Sequence, residues 1–304
     1  MSLADGRHIG LRQWGEPGAP AVVALHGTPG SSAKFSVMGQ LAGPRGMRLV
    51  ALDRWGYGGT SRHPRPSLHA FAADVAEIAD RLAIERFCVI GVSGGGPYAA
   101  AVAACLGARI EAASLISPVG PIAGPPPTEG LTRFHRLCFR VLPRTPGALF
   151  LAFRGFRRAT RLSPWLTKRL ATGRASRIDW VTINRPDVGP RLVATFREGL
   201  APGVNGPLTD LALFSSPWNV PLGDVTAPAV IYIGGADHNV PIPAVERLAD
   251  SIGGAELVRL PGEGHLWLAS NNGRVLDWLL AARQRAPQAA AMGKTGAAWQ
   301  SSSD

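Results

Sequence analysis

Short apolar runs of strand length recur along the chain, and most are followed by a stretch whose apolar residues return every three or four positions. Residues 7–14 and 21–25 read as strands separated by the turn-rich Gly15-Glu16-Pro17-Gly18, and 48–52, 87–90 and 113–116 continue the series. Helices are expected at 31–41, at 68–82, where Leu68, Phe71, Val75, Ile78 and Leu82 share one face, and from Pro97 through the Ala-rich stretch that follows. From 120 to 218 the chain is punctuated by proline, rich in Leu, Phe and Arg, and without a strand pattern, which predicts a helical insertion. Strand and helix return at 229–233, 241–252 and 256–260, with a final amphipathic helix over 266–283. This alternation predicts an α/β fold, a mostly parallel central sheet flanked by helices, carrying an inserted helical cap. The expected division is a core domain over 1–120, a cap or lid over 121–218, the rest of the core over 219–286, and an aperiodic tail over 287–304 that predicts disorder.

Composition changes this picture little. With 304 residues, 46% of them apolar, and a mean hydropathy of +0.08, the chain can bury a large core. Cys88, Cys105 and Cys138 form no even-numbered framework and no C-x-x-C spacing, so neither a disulfide scaffold nor a metal site is expected, and no cofactor motif is present. The N-terminus lacks the charged start and apolar run of a secretion signal, and nowhere do about 18 apolar residues run uninterrupted. A cytoplasmic monomer or homodimer without a transmembrane segment is the expectation.

Candidate chemistry gathers where the predicted strands end, the place where parallel sheets collect active groups. Gly91-Val92-Ser93-Gly94-Gly95 fits G-x-S-x-G, in which a serine sits on a sharp strand-to-helix turn beside unpaired N–H groups suited to a developing oxyanion. A Gly-rich turn without chemistry would show the same five residues, so the context decides. That context is the loop His26-Gly27-Thr28-Pro29-Gly30 after one strand, Asp237 after another and His265 after a third, an order Ser, Asp, His along the chain. A serine hydroxyl is a poor nucleophile at neutral pH, and an imidazole is the natural base to take its proton. His8, His63, His69 and His135 lie outside the strand-end loops and are expected to be solvated.

In the pieces HGTPG (26–30), DRWGYGGT (53–60), GVSGGG (91–96), GGADHNVP (234–241) and GEGHLW (262–267), the chain resembles the α/β-hydrolase superfamily. Trp55 stands where such proteins often have Pro, and Thr60 where Ser is common, both in a loop that is structural in the family. The resemblance implies a Ser93, His265, Asp237 triad, an oxyanion hole from the backbone N–H groups of Thr28 and Gly94, and a supporting role for His26 and Gly27. The family places the acid after either of two strands. Ser117-Pro118-Val119-Gly120 offers no carboxylate, whereas Asp237 fills the other place, with Asp224 and Asp210 as fallbacks.

The expected activity is cleavage of a carboxylic ester, or a related acyl bond, of a small and largely apolar substrate. Ser93 argues against relatives that need an aspartate nucleophile, such as dehalogenase-like and epoxide hydrolase-like enzymes. HGTPG is similar to the HGGPG of proline iminopeptidase-like enzymes, but those hold a substrate ammonium with acids. A carbon–carbon bond hydrolase or lyase, or a receptor-like protein with little turnover, would use the same residues. Residues 121–200 hold 15 Lys or Arg against Glu129, Asp179, Asp187 and Glu198, an excess equal to the +11 of the whole chain. No nucleic-acid recognition motif accompanies these arginines, so a solvated helical face is the plain reading, with a salt-dependent preference for anionic substrates or surfaces as the alternative. Phe134, Leu137, Cys138 and Val141 fall at helical spacing and are expected to face the pocket together.

Overall fold

The structure, a computed structural model, describes residues 1–123, 131–173 and 175–295, with side chains as far as residue 285. Its strands are β1 (Leu11–Trp14), β2 (Ala21–Leu25), β3 (Arg48–Leu52), β4 (Phe87–Val92), β5 (Ile110–Ile116), β6 (Ala229–Gly234) and β7 (Glu256–Leu260). They form one sheet in the order β1-β3-β2-β4-β5-β6-β7, in which β1 alone runs antiparallel, against β3. Leu25 stands beside both Leu52 and Gly91, so the chain leaves β2, β3 and β4 along a common edge. The candidate residues that follow those strands are thereby brought together.

In chain order the helices are α1 (Ser36–Ala42), α2 (Leu68–Arg81) and α3 (Gly96–Cys105), then α4 (Arg133–Arg136), α5 (Pro146–Leu162), α6 (Pro164–Thr172), α7 (Arg177–Ile183), α8 (Gly189–Gly199) and α9 (Asn205–Phe214) between β5 and β6, and finally α10 (Ile242–Ser251) and α11 (Leu268–Thr295). The sheet is buried on both faces because side chains alternate along each strand: Ala21, Val23 and Leu25 join one core, Val22 and Ala24 the other. Phe71, Val75 and Ile78 of α2, the small residues of α3, and Val245 and Leu248 of α10 fill the first core. Met38 of α1 with Val275, Leu276 and Leu279 of α11 fill the second. Each large apolar side chain so buried contributes about 1.5–3 kcal/mol. Ser67 starts α2 by accepting the Ala70 N–H at 3.1 Å.

Several boundaries differ from expectation for identifiable reasons. The first ladder begins at Leu11 because Arg7 turns its guanidinium onto Asp74 and Asp5, and His8 pairs with Ser2 instead. β5 begins at Ile110, hidden in the sequence by Glu111, whose charge is met by Arg283 of α11 at 2.7 Å. The final helix is interrupted at Asn271 and runs on to Thr295, past the end expected for it, while 296–304 lie outside the described residues.

Candidate active site

The turn that presents Ser93 is tight enough to require its glycines. β4 passes directly into α3, and Ser93 takes a left-handed φ of 53° at the junction. A Cβ on Gly91 would lie 2.6 Å from the Ala99 Cβ and from the Gly95 carbonyl oxygen, and one on Gly95 would lie 2.7 Å from the His26 carbonyl oxygen. Strand, helix and the neighbouring loop meet there with no room for side chains. Pro97 occupies the first turn of α3, where its missing N–H costs nothing.

The loops after β6 and β7 complete a hydrogen-bonded chain. His265 Nε2 lies 3.0 Å from Ser93 Oγ, and His265 Nδ1 lies 2.7 Å from Asp237 Oδ2. The other carboxylate oxygen of Asp237 accepts the N–H groups of Asn239 at 2.8 Å and Val240 at 3.2 Å, which orients it. Burial alone would raise the Asp237 pKa, but His265 and these N–H groups hold it below the usual carboxylate value. Burial pulls the His265 pKa down, yet the Asp237 carboxylate, with Asp179 adding to it, outweighs burial and leaves the imidazole above its ordinary value. Of the fallback acids, Asp224 is exposed and Asp210 is engaged elsewhere.

Beside Ser93, the loop 26–30 is braced from below. The buried His26 accepts the Arg54 backbone N–H on Nε2 at 3.0 Å and faces the Gly27 carbonyl with Nδ1 at 2.8 Å. Burial, reinforced by Arg54, holds its pKa well below the ordinary histidine value, so it is a neutral structural ring. A Cβ on Gly94 would stand 3.1 Å from the Thr28 backbone nitrogen, so no side chain comes between the two candidate oxyanion donors.

Beneath that loop lies a buried network that the sequence does not announce. Asp210 of α9 receives the Arg54 guanidinium, the Tyr57 hydroxyl at 2.6 Å, the Tyr98 hydroxyl at 2.7 Å and the Thr28 hydroxyl. Arg54 also donates to the carbonyls of His26 at 2.9 Å and Gly27 at 3.1 Å. Both members of the ion pair are fully buried, and burial would lower the arginine's pKa were it not for Asp210. Asp210→Ala, which strands a buried guanidinium, is expected to cost about 3–5 kcal/mol, read as a lower urea midpoint at constant slope. Replacing both partners with apolar residues should recover much of that loss. Native stability in the single variant would mean that the charge is not isolated from water.

A sequence profile of the alpha/beta hydrolase family matches residues 22–278. The chain belongs to this family. A non-heme chloroperoxidase from Streptomyces lividans is 33% identical over 127 residues, covering 40% of this chain and 45% of that protein. A bifunctional esterase/perhydrolase from Acinetobacter calcoaceticus is 32% identical over 124 residues, again 40% of this chain and 45% of the relative. The matched segments thus span under half the length of these two relatives. In three dimensions, a bromoperoxidase from Bacillus anthracis superposes with a TM-score of 0.69 at 20% identity, over 90% of this chain and 96% of that one.

The helical insertion of this α/β hydrolase roofs a cavity of about 360 Å³ that opens onto Ser93 and His265. Phenylalanines and leucines together form much of its wall, among them Phe134, Phe139, Phe153 and Phe156. The expected inward set is corrected at two positions: Phe134 and Cys138 line the cavity, but Leu137 and Val141 are exposed. A π-helical turn at Leu137–Val141 widens the helix there and rotates Phe139 inward in their place. His135, expected in solvent, is buried, with Nε2 lying 3.2 Å from the His238 carbonyl oxygen.

Two further residues at the cavity escaped the sequence reading. Asp179 of α7 accepts the backbone N–H groups of His265 at 3.0 Å and Leu266 at 2.7 Å, so the insertion holds the histidine loop directly. The pattern Ser176-x-x-Asp179 suits a helix start, and Ser176 does cap α7 by accepting the Asp179 N–H at 3.3 Å, but nothing in it points to residue 265. Lys34 is the only lysine or arginine among the described residues lining the cavity, and burial lowers its pKa. None of the described arginines of the insertion lines it.

Proposed function

We propose that the chain is a serine hydrolase that cleaves a carboxylic ester, or a related acyl bond, of a small and largely apolar substrate. The observation that carries this reading is the chain of contacts from Ser93 through His265 to Asp237, opening on a cavity lined largely by apolar side chains. Ser93 Oγ attacks the acyl carbon as His265 Nε2 takes its proton, and Asp237 holds the imidazolium in place. The N–H groups of Thr28 and Gly94 receive the oxyanion. Collapse breaks the bond to the leaving alcohol, which takes the proton from His265 and departs, leaving an acyl-enzyme. Water then attacks with His265 again as base, releasing the acid and restoring Ser93.

The cavity disfavours an aminopeptidase. Asp179 is the sole carboxylate among its described lining residues, and both its oxygens already accept backbone N–H groups. A substrate ammonium therefore has no free acid to meet, and Lys34 would repel it. A second reading follows from the relatives named as peroxidase and perhydrolase. Hydrogen peroxide in place of water would attack the same acyl-enzyme, expel Ser93 and give a peroxycarboxylic acid.

Chromogenic esters of graded acyl length test the main reading. Each methylene buried is worth about 0.8 kcal/mol, so kcat/KM should rise about fourfold per added carbon until the cavity is full. Turnover must continue well past one equivalent. Release that stops at one equivalent would favour a receptor-like protein, and peracid formation when peroxide is added would favour the second reading.

A further inference from the structure

The outer surface of the insertion is at odds with that of an ordinary water-facing domain. Among the described residues, every exposed large apolar side chain lies between Leu137 and Val181. The most exposed are Leu151 and Leu162 at 67%, Trp165 at 64%, Trp180 at 58% and Leu170 at 54%. They lie on α5, α6 and α7, with α6 packed against both neighbours. On α5 the stripe Leu151, Arg154, Arg158, Leu162 follows helical spacing and faces outward, while Phe153 and Phe156 face the cavity. On α6 the Arg169 guanidinium lies 5.5 Å from the centre of the exposed Trp165 ring.

Among the described residues, the charge on this face is uncompensated. Of the acids in the insertion that the structure describes, Asp179 is buried against the histidine loop, Asp210 is buried against Arg54, Asp187 pairs with Arg185, and Glu198 pairs with Arg12. Arg154, Arg158, Arg161, Arg169 and Arg177 are exposed and in no ion pair among the described residues. Tryptophan and leucine interleaved with free arginines suit the boundary of a bilayer, where indoles and aliphatic groups settle at headgroup depth and guanidiniums meet lipid phosphates. A second copy would present the same positive charge and be repelled. A nucleic acid would satisfy the arginines and leave Leu151, Leu162 and Leu170 in water.

We propose that α5, α6 and α7 form a docking surface for an anionic lipid bilayer. Leu170 belongs both to this surface and to the cavity wall, so docking sets the cavity's edge against the lipid. An acyl substrate dissolved in the membrane then reaches Ser93 without crossing water. The docking itself does not rest on the hydrolase reading and is measured with the full-length Ser93→Ala protein.

The test is flotation with vesicles of phosphatidylcholine mixed with phosphatidylglycerol, against phosphatidylcholine alone. Binding to the mixed vesicles is expected, weakening as salt rises. Arg158→Gln with Arg169→Gln should weaken it about fivefold per charge removed. Trp165→Ser with Trp180→Ser should weaken it by about tenfold or more while leaving the salt dependence in place. These positions are exposed, so circular dichroism should be unchanged. Equal binding to neutral vesicles, indifference to either double variant, no binding at all, or binding to duplex nucleic acid in preference to vesicles would each overturn the proposal. So would a stable dimer that loses its affinity for itself when Trp165 and Trp180 are replaced.

Discussion

Replacing Ser93 with alanine is expected to abolish turnover while leaving the fold intact. The Ser93 backbone is held at its positive φ by packing around Gly91 and Gly95, contacts that the hydroxyl does not make. Loss of a nucleophile cost on the order of 10⁶ in kcat in one serine protease, and the comparable dependence here is on a single oxygen 3.0 Å from His265 Nε2. A fluorophosphonate should add once to the wild-type protein and not at all to Ser93→Ala, read by intact mass. An adduct on both proteins would move the nucleophile elsewhere and remove the basis of the proposed mechanism.

The next largest effect is expected from Asp237→Asn. An asparagine fits the same space but cannot hold the imidazolium by charge, and the equivalent change in a serine protease costs ~10⁴ in kcat. The pH profile supplies a second, independent readout. His265 works as a base only when neutral, and Asp237 keeps its pKa above the ordinary 6.5 against the opposing effect of burial. The acid limb of kcat/KM in the wild type should therefore lie above pH 6.5. Without that carboxylate, burial remains the largest influence and lowers the histidine's pKa, while Asp179 raises it and Lys34 lowers it by smaller amounts, so the limb should move to lower pH as the rate falls. Turnover near that of the wild type, or a limb that does not move, would show that another group orients the histidine.

Residues 21–25 and 229–233 read as strands and are strands, because a strand buried on both faces must be apolar throughout and stands out as a run. The sequence was less informative where a charge interrupts such a run, as Glu111 does in β5, since its partner Arg283 lies far along the chain. That Ser93, Asp237 and His265 would lie together was legible in advance because each follows its own strand, and parallel strands deliver their ends to one edge. The residues around them were not. Arg54, Asp210 and Asp179 carry no local pattern of their function, and what each does depends on a group brought to it by folding.

The same division holds for the insertion. Its sequence alone determined that it would be helical, apolar and basic, since those are properties of composition and local spacing. Periodicity reports that a helix has an apolar face, but a helix with apolar residues on two sides has no way of saying which one meets the core. Only the tertiary structure turned Phe153 and Phe156 toward Ser93 and left Leu151, Leu162 and Trp165 facing out, because that choice is made by which neighbours the helix buries.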